Sequence, residues 1–163
     1  MRDTGLPPNY LEIELTKILA MEDVEKSTIT LNAFSIPGIS VAIDDFGIGY
    51  SSLAYLNRFP ADFLKIDQSF VHDLGISHDN EVIAKTVIVM AHNLQLRVVG
   101  EGVETREQLD FPRQHGCEEM QGYFLSLPLP ADEFFAYIHS AKTFNLTTAL
   151  EITPDDLVPG FVT

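Results

Sequence analysis

With 163 residues, 45% of them hydrophobic and 21% charged, the chain has the size and apolar content of one ordinary globular domain rather than of a disordered segment. Its formal net charge of −14 argues against a nucleic-acid polymer or an anionic membrane surface as partner, because both are gripped by basic patches. Cys117 is the only cysteine, which rules out an intrachain disulfide, and no Cys-His spacing suggests zinc. No leader peptide, apolar stretch of membrane-spanning length or internal repeat is visible, so a soluble, cytoplasmic protein without membrane insertion is the expectation.

Taken in chain order, residues 1 to 9 carry Gly5, Pro7 and Pro8 and read as an irregular lead-in. Tyr10 to Leu15 alternates apolar and acidic as a strand does, with Glu14 near its exit, and Thr16 to Ala33 shifts to a helical period. Ile39 to Ile43 is a short apolar run rich in β-branched residues, the pattern of a strand buried on both faces. It delivers Asp44 and Asp45 into the glycine-bearing stretch Phe46-Gly47-Ile48-Gly49-Tyr50. Ser51 or Ser52 can cap a short helix through Phe59, which Pro60 ends. Asp62 to Asp67 is the next strand, with Lys65 and Asp67 on one side of it. A helical stripe runs through Asp79 to Leu94, and Leu96 to Gly100 is a strand that delivers Glu101. Glu104 to His115 reads as a helix ended by Gly116, Cys117 to Leu125 as a last strand region carrying Gln121, and Pro130 to Ala141 as a last helix. The expected domain covers residues 1 to 143, leaving 144 to 163 as a tail of unassigned role.

Alternation of strands and helices gives roughly five βα units, and successive strands end on ionisable side chains. Glu14, Asp44, Asp45, Asp67 and Glu101 would then gather at the C-terminal end of a parallel sheet, where such folds place their active sites. Carboxylates repel one another unless a cation holds them, and oxygen-only ligands suit magnesium or manganese. Lys65 would stand beside them as a counter-charge able to hold a water or a phosphate oxygen. Other motifs fail. Gly47-x-Gly49-x-x-Ser52 nearly matches a dinucleotide fingerprint, but Ser52 replaces the third glycine and Asp44 and Asp45 would face a pyrophosphate. Gly-x-Ser-x-Gly is absent, and His72, His78, His92, His115 and His139 lack metal-ligand spacing.

The stretches Glu14-Leu15-Thr16, Asp44-Asp45-Phe46-Gly47-x-Gly49-Tyr50-Ser51-Ser52-Leu53, Leu64-Lys65-Ile66-Asp67, Glu101-Gly102-Val103-Glu104-Thr105 and Gln121-Gly122-Tyr123 stand in an order that resembles the EAL domain family of cyclic di-GMP-specific phosphodiesterases. The resemblance covers about residues 10 to 135. It implies a (β/α)8 TIM-type barrel, magnesium or manganese as cofactor, and cyclic di-GMP opened to linear pGpG. It also implies that Glu14 and Asp44 bind metal, that Asp45 reaches a second ion, and that Lys65 and Asp67 support water and metals. Glu101 would be the general base, with Glu104 and Gln121 around it and Gly47, Gly49 and Ser51 shaping the loop.

Departures from that pattern shape the remaining expectations. The strand carrying the family's Glu-Ala-Leu motif and a later strand supplying an Asn ligand have no counterpart here. Lys17, Ile48 and Leu127 stand where the family usually has glutamate, threonine and arginine. A closed barrel typically needs about 250 residues, so this chain is expected to form an incomplete one, mainly parallel strands alternating with helices. Open edges call for a cover, either a missing barrel half or a second copy in a homo-oligomer. Two functions follow. The chain is part of a phosphodiesterase, inactive in isolation, or it is a degenerate module that binds cyclic di-GMP or a protein without turnover.

Overall fold

The strands are short apolar runs separated by helices, and they pair only in parallel. In the computed structural model, which describes residues 4–16, 19, 22–35, 38–47 and 56–140, they form one five-stranded sheet. β1 (Glu12–Thr16), β2 (Ser40–Phe46), β3 (Phe63–Ile66), β4 (Arg97–Gly100) and β5 (Glu119–Met120) lie side by side in chain order. Parallel neighbours cannot be joined by a hairpin, so the chain returns each time across one face of the sheet. It does so through α1 (Val24–Ser35) after β1, α2 (Gln68–His72) and α3 (His78–Asn93) after β3, and α4 (Arg106–Gln114) after β4, while α5 (Ala131–Ser140) follows β5. A doubly wound nucleotide-binding sheet reverses its strand order at a switch point, whereas this one runs monotonically, as the wall of a (β/α)8 barrel does.

The two faces of the sheet differ sharply. Val41, Ile43, Leu64, Ile66 and Val98 point to the helices and are buried with Ala84, Val87, Ile88 and Ala91 of α3 in one cluster. The α3 residues recur at helical spacing, one stripe of the helix laid on the sheet. Each large aliphatic side chain buried this way contributes about 1.5–3 kcal/mol relative to exposure, which makes this face the chief source of stability. Strand register puts Glu14, Ala42, Phe63, Lys65, Arg97, Val99 and Glu119 on the opposite face, the inside of a barrel wall. There the apolar cluster shrinks to Ala42, Phe63 and Val99. The Arg97 guanidinium lies 4.6 Å from the Phe63 ring centre and reaches Glu119 at 2.5 Å, so charged side chains roof this face.

Several boundaries move. Pro8–Tyr10 forms a 3-10 turn, with Pro at its first position, so the first strand starts at Glu12 and runs through Thr16 rather than spanning Tyr10 to Leu15. Thr16, expected to open a helix, pairs with Asp44 as the last residue of β1. The last strand region, expected over Cys117 to Leu125, narrows to Glu119–Met120, because once the Gln121 amide has bonded to Gly100 O at the end of β4 the chain turns to the Val103 loop. α2 was not anticipated at all; it is five residues long and depends on Asp67, whose side chain accepts from the Ser69 amide at 2.8 Å. Lys17, Ile48, Gly49, Ser51 with the start of its helix, and the tail from 144 to 163 lie outside the described residues.

Candidate functional site at the strand ends

Two adjacent aspartates in a regular strand would face opposite sides of the sheet. Here the register slips: Ile43 pairs with Leu64, but Phe46 pairs with Ile66, so Asp44 and Asp45 together stand against Lys65 alone. That is a β-bulge, a device that re-aims side chains at sheet rims. Asp45 takes a left-handed backbone with φ of 56°, which aspartate tolerates better than most residues, and its amide donates to Asp44 Oδ1 at 2.8 Å. The extra residue returns Phe46 to the helix-facing core with Val41 and Ile43. Gly47 follows with φ of 113°, and a Cβ there would come within 2.5 Å of the Phe70 ring of α2. Both the backbone and the neighbour therefore require glycine.

Lys65 is the centre of charge. It is 3% exposed, and its ammonium donates to Glu14 Oε1 at 2.5 Å and lies 2.7 Å from Glu101 Oε1. One cation thus ties β1 to the end of β4 by reaching over β2, where Ala42 presents only a methyl group. Burial works to lower the Lys65 pKa, but the hydrogen bonds to Glu101 and Glu14, with Asp44 nearby, outweigh it and hold the value well above normal. Glu101 is raised: burial penalises its charge and Asp44 and Glu14 repel it, while Lys65 offsets part of that. Glu12, on the same face, is raised by burial and by the charges of Glu14, Glu119 and Asp62.

Glu101 also belongs to a second group. A cavity of about 550 Å³ lies beside the strand ends, with Asp45, Asp67, Glu101, Glu104 and Gln121 on its polar wall and Phe134 on its apolar one. The loop that carries Glu101 and Glu104 is closely held. The Glu101 amide donates to Ile66 O, the Val103 amide to Gln121 O, and the Phe124 amide to Val103 O. Gly102 has φ of 68°, and a Cβ on it would come within 2.6 Å of Gln68 Cβ. Gly122 faces the Val103 backbone so closely that no Cβ fits.

The structure therefore places the sequence-derived residues in two sets joined by Glu101. Glu14, Lys65 and Glu101 form the ion-paired hub, with Asp44 close by; Asp45, Asp67, Glu104 and Gln121 line the cavity with Glu101. Gly47 shapes the turn between them. Gln68 and Gln108 were missed. Gln68 lies in the unanticipated α2, but Thr105-x-x-Gln108 is the spacing of a capping box and was readable.

The donor chemistry suits a hard divalent ion, since every acidic ligand offered is a carboxylate oxygen. Several of these oxygens are already engaged. One oxygen of Glu14 accepts from Lys65, one of Asp44 from the Asp45 amide, and one of Asp67 from the Ser69 amide. Among the described residues no three Asp, Glu, His or Cys side chains come close enough together to hold an ion.

A parallel βα sheet of barrel type, with carboxylates and a buried lysine at its strand C-termini beside an open cavity, is the build of a TIM-barrel catalytic face. This chain belongs to the EAL domain family, whose model matches residues 1–128. It is 41% identical over 134 residues to the bifunctional diguanylate cyclase/cyclic di-GMP phosphodiesterase MucR of Pseudomonas aeruginosa, and 46% identical over 130 residues to the cyclic di-GMP phosphodiesterase NbdA of the same organism. Those alignments take in 82% and 80% of this chain but only 20% and 17% of the relatives' lengths. The MucR phosphodiesterase in complex with cyclic di-GMP superimposes with a TM-score of 0.78 at 40% identity, over 82% of this chain and 54% of that one. Klebsiella pneumoniae BlrP1, solved with manganese and with calcium in the presence of cyclic di-GMP, gives 0.70 at 36% identity, over 76% of this chain and 32% of that one. The five-stranded sheet is thus a fragment of an EAL-type barrel, and metal ions occur in that family's solved structures.

Proposed function

We propose that this chain is the C-terminal portion of an EAL-type phosphodiesterase that hydrolyses cyclic di-GMP to linear pGpG, and that by itself it is inactive. The observation that carries the reading is the buried Lys65, fixed between Glu14 and Glu101 at the strand ends beside a cavity bordered by three further carboxylates. In the reaction, water adds to one phosphorus, the P–O3′ bond breaks, and the 3′ oxygen leaves with a proton. Glu101 accepts the proton of the attacking water, a role suited to a carboxyl whose pKa burial has raised above the ordinary carboxylate value. Lys65 holds Glu101 in place and offers positive charge to a phosphate oxygen.

Glu14 and Asp44 would hold a magnesium or manganese ion, Asp45 would reach a second, and Asp67 would support them. When bound, such an ion supplies Lewis acidity at the phosphate and lowers the pKa of its water. Glu104 and Gln121 border the nucleotide, and Gly47 shapes the turn at the end of β2. The reading of inactivity in isolation is supported by the donor count: the described residues bring no three ligating side chains together. The same shortage favours the second reading, a module that binds cyclic di-GMP or a protein without turnover. β1 has no partner on its outer side among the described residues, so a complementary barrel half or a second copy of the chain would cover it. A cytoplasmic location accords with this signalling chemistry, and among the described residues no helix is long and apolar enough to cross a membrane.

The experiment is a manganese-dependent hydrolysis assay on the chain alone and on the chain supplied with the amino-terminal half of an EAL barrel. Linear pGpG from the pair and none from the chain alone is the expected result. Turnover by the chain alone would overturn the claim of inactivity, and binding without turnover by the pair would establish the second reading.

A further inference from the structure

We infer that Gln108 is a positioning residue that couples the loop after β3 to the loop after β4, so that the two loops supplying the cavity's polar wall move as one. The proposal rests on the phosphodiesterase reading only for its consequence in turnover.

Gln108 is 4% exposed, although its side chain is a polar amide. Its Oε1 accepts from the Glu104 backbone amide at 2.7 Å and the Thr105 backbone amide at 3.0 Å, and its own backbone N–H donates to Thr105 Oγ1 at 3.3 Å. These bonds make the capping box that starts α4, and a glutamate would make them equally well. A fourth bond is not part of any cap. Gln108 Nε2 donates to the carbonyl of His72 at 2.9 Å, thirty-six residues away. His72 is the last residue of α2, the five-residue helix that Asp67 caps and that begins with Gln68. One side chain therefore fastens both ends of a short circuit: Asp67 and Gln68 through α2, and Glu101 and Glu104 through the loop on which it closes. A five-residue helix is far below the length that is stable alone, so it depends on such outside anchors. The Gln68–Gly102 approach described above is the second point of contact between the same two loops. If Gln108 lets go, that approach loses the bond that holds its two sides in register.

Glutamate and glutamine separate the two roles. Gln108→Glu keeps the acceptor for Glu104 and Thr105 but cannot donate to His72, and its charge faces that carbonyl. Amide hydrogen exchange on the full chain, read by NMR, should show Glu104 and Thr105 protected as in the parent. The amides from Phe70 to Leu74 should exchange about five-fold faster or more, the effect of one lost neutral hydrogen bond. Gln108→Met, which makes none of the bonds, should loosen both loops. In the pair of barrel halves, Gln108→Glu should lower kcat about ten-fold while KM changes by less than about two-fold, because positioning acts on the chemical step. Unchanged exchange over Phe70 to Leu74, or loosened exchange with unchanged kcat, would overturn the proposal. A parent pair without turnover would count against the phosphodiesterase reading, with the exchange experiment still deciding the link.

Discussion

Replacing Lys65 by methionine keeps the length and apolar stem of the side chain and removes its charge from between two carboxylates. At 2.7 Å and an effective dielectric near 20, the attraction between Lys65 and Glu101 is about 6 kcal/mol before the cost of drying both groups is subtracted. Removing one member of a buried pair usually costs about 3–5 kcal/mol, because the other is left uncompensated. Glu14 is 49% exposed and can regain water, so its share is small; Glu101 is 19% exposed and recovers less. The expected loss is therefore about 2–3 kcal/mol near neutral pH, or a fall in Tm of roughly 5–10 °C for a chain of this size. The pH dependence follows from Glu101. Its folded pKa is already raised by burial, and without Lys65 it rises further. A carboxyl raised on folding favours the folded state below its unfolded value and loses that contribution as pH rises through the folded one. The variant's deficit should accordingly be largest near pH 7 and shrink toward about pH 4. Urea unfolding of parent and variant at both pH values measures it. A loss under about 0.5 kcal/mol, or one equally large at both pH values, would refute the view that Lys65 compensates a buried carboxylate.

Four further outcomes are expected. Asp44→Ala in the paired barrel halves should abolish manganese binding measured by calorimetry, and equal affinity would remove Asp44 from the ligand set. Glu101→Gln should bind cyclic di-GMP with unchanged affinity while turnover falls about 100-fold or more, since an amide cannot take the proton of water; survival within a few-fold would exclude Glu101 as base. Burial pushes the Cys117 thiol up to about 12, so a thiol reagent at about pH 8 should modify it only as the protein unfolds. Modification faster than unfolding would contradict that burial. Sedimentation of the isolated chain over a wide concentration range should show self-association through the β1 edge, which has no outer partner among the described residues, whereas a folded monomer at high micromolar concentration would mean that the edge is covered otherwise.

The parts of the fold legible in the sequence are those where one local pattern decides. Ile39 to Ile43 and Leu96 to Gly100 could hardly be anything but buried strands, and the α3 stripe is regular; these elements formed at the expected places. Strand order was less accessible, because a dinucleotide-binding sheet and a barrel wall share the same βα alternation until register is known. Most of the acidic residues at the strand ends were legible by position, but not their partners. Nothing in Glu14 announces that it meets a lysine fifty-one residues later. The short α2 escaped because its start signal, Asp67, reads equally well as the end of a strand. Gln121 was placed in a strand, yet the two hydrogen bonds between its segment and Val103 belong to a loop crossing that no periodicity encodes.

The bulge and the lysine answer the same electrostatic problem from two sides. A regular strand would have sent Asp45 toward the helix-facing core, where an unpaired carboxylate is costly, and Phe46 to the charged face. One inserted residue exchanges them, keeping both aspartates at the rim and returning the ring to the core. The negative charge thereby concentrated opposite Lys65 exceeds what one ammonium can balance, for Glu14, Asp44 and Glu101 all act on it and Asp45 follows next in the chain. Because Lys65 is buried and its protonation is reinforced, it stays as a fixed charge that neutralises roughly one carboxylate and leaves the rest. The residual negative field lies at the C-terminal ends of the strands and is built from residues at the ends of β1, β2 and β4. On the proposed phosphodiesterase reading, the rest of an EAL barrel would add not the attraction for a cation but further ligands that fix where the cation sits.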